Sequence, residues 1–116
     1  LQLISEDAQL SGAVSVRHAP GHTPGHIALL ISDGGQEAMI VGDAIVHPAQ
    51  VSEPEWRFLF DMDPDAAIAT RKRLLGRMEL ESITAIQCHC PPPGFGLIVR
   101  TEARRHWQPL EQAGDF

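Results

Sequence analysis

The chain has 116 residues, of which 43% are hydrophobic and 21% charged, and this size and composition are typical of one globular domain. The formal net charge of −6 argues against nucleic acid and anionic membrane surfaces as partners, because both attract clustered Lys and Arg. No apolar run approaches the roughly 20 residues of a membrane span, and no secretory signal is visible. We therefore expect a cytoplasmic protein, with Cys88 and Cys90 as reduced thiols.

Apolar stretches separated by Gly and Pro predict several strands in the first 41 residues. We place them at residues 1–4, 14–18, 27–32 and 38–41. Asp33, Gly34 and Gly35 provide turn chemistry between the last two strands, which predicts a β-hairpin. The stretch 27–32, IALLIS, is almost entirely apolar, as is typical of a strand buried on both faces.

Residues 47–61 are predicted to be an irregular loop with an unusual number of aromatic side chains. A long loop in a compact domain is often functional. Its aromatic residues either line a binding pocket or are ordinary core residues. They are Trp56, Phe58 and Phe60.

A helix is predicted from Asp63 to about residue 79. Asp63 is suited to be its N-cap, and Pro64 to be its first residue. One face is apolar, and the other is predicted to carry Arg71, Lys72, Arg73 and Arg77. A short strand at 83–87 and a closing pair at 97–100 and 104–107 complete the predicted elements.

Three loops, each following a predicted strand, carry side chains that bind metals. His22 and His26 lie in the first loop (HAPGHTPGH, residues 18–26), Asp43 and then His47 in the second, and His89 in the third. Imidazole and carboxylate suit divalent ions such as zinc. Taken singly, none of these residues is specific, because a loop histidine is most often solvated and an Asp after Gly at a strand end usually belongs to a turn.

Three segments in this order resemble the second half of the metallo-β-lactamase superfamily, most closely its lactonase and organophosphate-hydrolase-like branch. They are PGHTPGH at 20–26, VGD at 41–43 and CHCPPPGFG at 88–96. The resemblance implies an α+β fold over residues 1–116: the C-terminal half of an αββα sandwich, with one mixed sheet and one main helix. It also implies a site for two divalent ions, usually zinc.

The resemblance also assigns roles to individual residues. His22 would bind one ion, His89 the other, and Asp43 would bridge both and orient the attacking hydroxide. That metal-bound hydroxide would act on an ester, lactone or phosphotriester. His26 would support its loop through hydrogen bonds without binding metal. The substrate pocket would be lined by His47, Trp56, Phe58 and Phe60, whereas His18 and His106 would not be ligands.

The sequence lacks the H-x-H-x-D-H segment that supplies two ligands to each metal in the family. We therefore expect a fragment that is inactive by itself, because each ion would keep two ligands where a catalytic zinc needs about three. Half of a sandwich would expose its inner sheet face. That exposure predicts a homodimer, or the binding of a missing N-terminal half.

Two alternatives remain open from the sequence. One is a non-enzymatic remnant of the fold that serves as a dimerising or binding module. The other is a mononuclear site, in which His22, Asp43 and His89 together hold one iron or zinc ion. Cysteine ligands are disfavoured, because in a strand Cys88 and Cys90 would point away from His89.

Overall fold

The computed structural model describes residues 3–110, which form a mixed sheet with one long helix packed on one of its faces. The strands are β1 (Ala8–Gln9), β2 (Val14–His18), β3 (Ile27–Asp33), β4 (Gln36–Ile40), β5 (Thr84–Ile86), β6 (Phe95–Thr101) and β7 (Arg104–Pro109). The helical segments are a 3₁₀ turn (Gly42–Ala44), α1 (Ala49–Ser52) and α2 (Pro64–Glu81). The predicted α+β fold, with one mixed sheet and one main helix, is confirmed.

The strands follow one another across the sheet in chain order, and only β4 and β5 pair in parallel. Parallel neighbours need a crossover connection, which here contains α2. Because the other pairs are antiparallel, β2, β4 and β5 all run in the same direction. The loops that follow these three strands therefore meet at one edge of the sheet.

Helix α2 begins as its sequence predicts. The Asp63 side chain accepts a hydrogen bond from the Ala66 N–H at 3.1 Å, and Pro64 occupies the first turn. The helix ends at Ser82, which adopts the left-handed conformation with φ 53°.

Ion pairs attach the last part of α2 to the neighbouring strands. Glu79 accepts hydrogen bonds from Arg100 of β6 and Arg105 of β7, each within 3.0 Å. These two guanidinium groups lower the pKa of the Glu79 carboxyl to about 2. Glu79 therefore stays ionised throughout the neutral range, so that the helix-to-sheet contact persists there.

Two predicted segments differ from the structure. Of the strand expected at 1–4, Leu1 and Gln2 lie outside the described residues, and Leu3 and Ile4 are exposed and outside any strand. The strand that the structure shows in this region is β1, which pairs with β2.

The loop expected at 47–61 contains the short helix α1. The buried side chain of Gln50 stabilises it by accepting a hydrogen bond from the Val46 N–H and donating one to the Trp56 carbonyl. A buried amide that satisfies nearby backbone groups allows such a short helix to form.

The polar face predicted for α2 is wrong at Arg71. Its side chain is fully buried, whereas Lys72 and Arg73 are exposed. Arg71 lies on the same side of the helix as Leu74 and Leu75, which pack against the sheet. The spacing of Arg71 from Leu74, Leu75 and Met78 puts its position on the helix face that packs against the sheet.

The opposite face of the sheet is apolar and only partly covered, so that the prediction of a strand 27–32 buried on both faces is wrong. Ala28 and Leu30 are buried against the helix side, but Ile27 is 39% exposed. Apolar side chains form a row across four strands in the register Leu29, Ile40, Ile86 and Phe95, of which the first three are half-buried and Phe95 is exposed. We call this surface the open face. A groove of about 620 Å³ lies on it.

None of the helices within residues 3–110 combines the length and apolar character needed to cross a bilayer.

Candidate metal centre

The three loops at the edge of the sheet bring His22, Asp43 and His89 into contact. Nε2 of His22 lies 3.3 Å from Oδ2 of Asp43, and Nε2 of His89 lies 2.8 Å from Oδ1 of the same carboxylate. Each carboxylate oxygen therefore faces a different imidazole. The three side chains line a cavity of about 350 Å³, completed by Val46, Phe58 and Phe60.

The first loop is fixed by its contacts with the start of α2. The Gly21 carbonyl accepts the Asp63 N–H at 2.9 Å, the His22 carbonyl accepts the Met62 N–H at 3.1 Å, and the Thr70 hydroxyl donates to the Pro20 carbonyl at 2.6 Å. Gly21 has φ 140°, and a Cβ there would lie 2.3 Å from the Ala67 backbone. This close approach of two backbones holds the His22 imidazole towards the cavity.

His26 fastens the first loop to the second. Its Nδ1 lies 2.9 Å from the Ala19 carbonyl, and its Nε2 accepts the Asp43 N–H at 2.9 Å. Both ring nitrogens are occupied by backbone groups, so that the proton must lie on Nδ1 and His26 has no lone pair for an ion. Gly42, with φ 56°, permits this contact, because a Cβ there would lie 2.7 Å from Nε2 of His26.

Gln87 fastens the second loop to the third. It is almost fully buried, donates to the Gly42 carbonyl at 3.3 Å and accepts the His89 N–H. The backbone N–H of Gln87 donates a hydrogen bond to the Gly94 carbonyl at 2.8 Å. Sequence reasoning missed Gln87, because a glutamine at a strand end carries no signal of burial.

A buried ion pair between Asp61 and Arg71 lies next to Nδ1 of His22, and sequence reasoning missed this pair too. Nδ1 of His22 lies 3.0 Å from Oδ1 of Asp61, whose side chain is 1% exposed. Nη2 of Arg71 lies 3.9 Å from the other oxygen of Asp61. Burial lowers the pKa of the Arg71 guanidinium, and the Asp61 carboxylate partly opposes that shift. One signal was available: in D-M-D at 61–63 the helix cap uses Asp63 and leaves Asp61 unexplained.

The aromatic residues of the loop 47–61 divide into two groups. Phe58 stacks on the His22 ring with centroids 6.0 Å apart, and Phe60 meets Phe58 edge to face at 5.5 Å. Trp56 and His47 do not line the cavity. Trp56 is 58% exposed, and exposed His47 accepts the Ala49 N–H at its Nδ1.

The two cysteines are free thiols in different surroundings. Cys88 is exposed and Cys90 is buried. Burial raises the pKa of the Cys90 thiol to about 11, so that at neutral pH it is not the thiolate that binds metals. Residues 88–90 form a turn rather than a strand, and the expected strand alternation around His89 therefore does not apply.

Each oxygen of Asp43 faces a different imidazole, as in a carboxylate that bridges two ions, but only one of the two contacts has the spacing of two ligands of one ion. Zinc–ligand distances of about 2.1 Å in a tetrahedron place ligand atoms roughly 3.4 Å apart. The 3.3 Å between His22 and Asp43 matches this value, whereas the 2.8 Å between His89 and Asp43 is that of a direct hydrogen bond. Within residues 3–110, no three His, Cys, Asp or Glu side chains are arranged to hold one ion.

Comparison with protein families gives one match. The model of the metallo-beta-lactamase superfamily matches residues 2–89, about three quarters of the chain. No curated protein matches the sequence.

Several solved structures share the fold. AidC, a dizinc quorum-quenching lactonase, is 32% identical with a TM-score of 0.84; the match covers 91% of this chain and 36% of AidC. The hydrolase AbOPH is 26% identical with a TM-score of 0.83, and the match covers 89% of this chain and 36% of that one. A probable metal-dependent hydrolase from Staphylococcus aureus, 18% identical, has a TM-score of 0.80 over 97% of this chain and 40% of its own. The chain thus spans between a third and two fifths of the length of these proteins.

Proposed function

The chain belongs to the metallo-β-lactamase superfamily, as its three motifs predict, and we propose that it supplies half of the metal site of a hydrolase. The proposal rests on one observation: the two oxygens of Asp43 face the Nε2 atoms of two different histidines inside one cavity. A carboxylate flanked in this way can bridge two ions, with His22 on one side and His89 on the other. The dizinc centre of AidC supports zinc as the metal.

When bound, two divalent ions supply Lewis acidity and lower the pKa of a water molecule towards neutrality. The chain's own residues hold the donors in place. Asp43 sets the separation of the two imidazoles, since it contacts both. His26 fixes the Asp43 backbone, and Gln87 fixes that of His89. The bridging and orienting role of Asp43 is the catalytic assignment we propose.

The cavity wall favours a substrate with an apolar part next to the reacting group. Phe58, Phe60 and Val46 line the cavity beside the polar cluster and would provide apolar contacts for a bound substrate. Phe60 is 70% exposed, so that the cavity is open to solvent on this side. We propose esters, lactones or phosphotriesters as the substrate class, with a lactone favoured by the similarity to AidC.

The proposed donors within residues 3–110 would supply two ligands to each ion, whereas a catalytic zinc has three protein ligands plus an open position. We therefore propose that the 116-residue chain by itself binds zinc weakly and has almost no activity. Full activity would need further donors from another polypeptide segment.

Zinc titration of the 116-residue chain tests the site. We expect His22→Ala, Asp43→Asn and His89→Ala each to weaken zinc binding at least about tenfold, the smallest effect typical of even a lost ligand-supporting group. The control is His106→Ala, an exposed histidine of β7 that we do not assign to the site. Binding is measured by competition with a chromogenic chelator.

Two outcomes would contradict this proposal. Zinc affinity that survives all three substitutions would exclude the site. Turnover of an N-acyl homoserine lactone or a phosphotriester within tenfold of that of AidC, assayed in parallel, would show that the chain is active without further donors.

For the open face, we propose a second copy of the chain as the partner when the chain is studied by itself. Monomers rarely expose contiguous apolar patches above a few hundred Å². The row Leu29, Ile40, Ile86 and Phe95 continues along β6 through Leu97 and Val99. This continuity across the central strands favours sheet-to-sheet packing between two copies.

We expect Leu29→Lys to weaken self-association at least tenfold, because it would bury an unpaired ammonium between the two sheets. The control is Leu80→Lys, the same change on the outer side of α2 at a residue that is 85% exposed. Sedimentation equilibrium measures the dissociation constant, and circular dichroism checks that both variants fold. A monomer at micromolar concentration for the unchanged chain would disprove the dimer.

A further inference from the structure

We propose that Asp61 is a positioning residue, fixed by Arg71, which keeps the His22 proton on Nδ1 and thereby leaves Nε2 free to bind an ion. The metal-binding part of this inference rests on the proposed function. The assignment of the proton rests on the geometry behind His22.

Each ring nitrogen of His22 faces a carboxylate. Nδ1 lies 3.0 Å from Oδ1 of Asp61, and Nε2 lies 3.3 Å from Oδ2 of Asp43. A neutral imidazole has one N–H and can donate to only one of them. The position of that proton therefore decides which nitrogen presents a lone pair to the cavity.

The burial of the two carboxylates differs sharply. The Asp61 side chain is 1% exposed, whereas that of Asp43 is 40% exposed and can be hydrated. Loss of a hydrogen-bond donor costs a buried carboxylate far more free energy than it costs a carboxylate in contact with water. The proton is therefore held on Nδ1, at the shorter contact, and Nε2 faces the cavity as an acceptor.

Arg71 orients the carboxylate of Asp61. Among residues 3–110, Oδ2 of Asp61 has no hydrogen-bond partner, and the nearest cation is Arg71, 3.9 Å away. The guanidinium is itself fixed by three hydrogen bonds to backbone carbonyls, those of Ala44, Pro54 and Trp56. Its positive charge attracts one carboxylate oxygen, and the other is left for His22.

This arrangement distinguishes His22 from His26. His26 also carries its proton on Nδ1, which donates to the Ala19 carbonyl. Its Nε2, however, already accepts a hydrogen bond from the Asp43 N–H. His22 has the buried Asp61 side chain on one side of its ring and an open cavity on the other. A carboxylate behind a histidine fixes its tautomer and raises its basicity as a ligand.

The variant Asp61→Asn changes the proton's position without changing the shape of the side chain. An amide at residue 61 would turn its oxygen towards the Arg71 guanidinium, because its NH₂ group and the guanidinium are both donors. The NH₂ would then face Nδ1 of His22 and force the ring proton onto Nε2. We expect the tautomer of His22 to switch and zinc affinity to fall about ten- to hundredfold.

The experiment uses the metal-free 116-residue chain labelled with ¹⁵N in histidine, at a pH where the imidazoles are neutral. Long-range ¹H–¹⁵N spectra show which nitrogen of His22 is protonated, and zinc is then titrated into the same samples. The matched control is Asp65→Asn, whose carboxylate is exposed and paired with Arg57. It should leave both the tautomer and the zinc affinity unchanged.

A proton on Nε2 of His22 in the unchanged chain overturns the inference, and this holds even if Asp61→Asn does not fold. Unaltered zinc affinity in a folded Asp61→Asn variant also overturns it. If the unchanged chain carries the proton on Nδ1 but binds no zinc, the proposed function fails, and with it the metal-binding part of the inference. The two failures are therefore distinguishable.

Discussion

The substitution Gly21→Ala is expected to destabilise the chain by at least about 3 kcal/mol, which combines overpacking with left-handed backbone strain. The new Cβ would lie 2.3 Å from two backbone atoms of Ala67, at a residue with φ 140°. Neither backbone can yield easily, because the Gly21 carbonyl is bonded to the Asp63 N–H at the start of α2. A small domain has only about 5–15 kcal/mol of total stability, so that a large fraction is lost.

Gly25→Ala in the same loop is the matched control. A Cβ at Gly25 meets no atom of residues 3–110 within 4 Å, and we expect a change in the free energy of unfolding within about 0.5 kcal/mol. Urea denaturation followed by circular dichroism gives both values. A loss below about 1 kcal/mol for Gly21→Ala, in the range of ordinary substitutions, would show that the first loop is not held against α2.

The second large effect is expected for Arg71→Met, with a loss of about 3–5 kcal/mol, as for one partner removed from a buried ion pair. Methionine retains most of the length of the side chain but none of its donors. Three backbone carbonyls would lose their hydrogen bonds, and the Asp61 carboxylate would stay buried without its cation. The free energy of unfolding is again measured in urea.

Lys72→Met is the control, one residue further along the same helix. Lys72 pairs with Glu55 at the surface, and removing such an exposed pair has little effect on stability. Equal losses of stability in Arg71→Met and Lys72→Met would mean that Arg71 stabilises the fold no more than an exposed charged residue does. A second check is Arg71→Met in the Asp61→Asn background, where the loss should be smaller because the buried charge has been removed.

The fold could be predicted where local chemistry is strong. The alternation in VSVRH gave β2 with its observed bounds, and Asp63 with Pro64 gave the start of α2. Predictions failed where tertiary contacts decide. The two-residue strand β1 exists only because β2 lies beside it, and α1 is stabilised by the side chain of Gln50. The hydrophobic periodicity of the sequence predicts neither β1 nor α1.

In the candidate site, too, some residues could be predicted from the sequence and others could not. The sequence places imidazole and carboxylate residues in loops after β2, β4 and β5, and the family resemblance predicts that they form one site. The structure adds that these strands run in one direction and end at one edge of the sheet. The supporting side chains could not be found in this way. Asp61, Arg71 and Gln87 are polar residues that sequence statistics place at the surface, and only the folded chain shows that they are buried.

The common direction of β2, β4 and β5 also leaves the other edge of the sheet without any of the proposed ligands. The β3–β4 hairpin turns there at Gly34 and Gly35, both exposed and with no atom within 4 Å of an added Cβ. A fluorophore or an affinity tag inserted at this turn would sit a full strand length from Asp43. This turn is therefore suited to the attachment of a label for a biosensor, because the label and the proposed metal site would lie at opposite ends of β4.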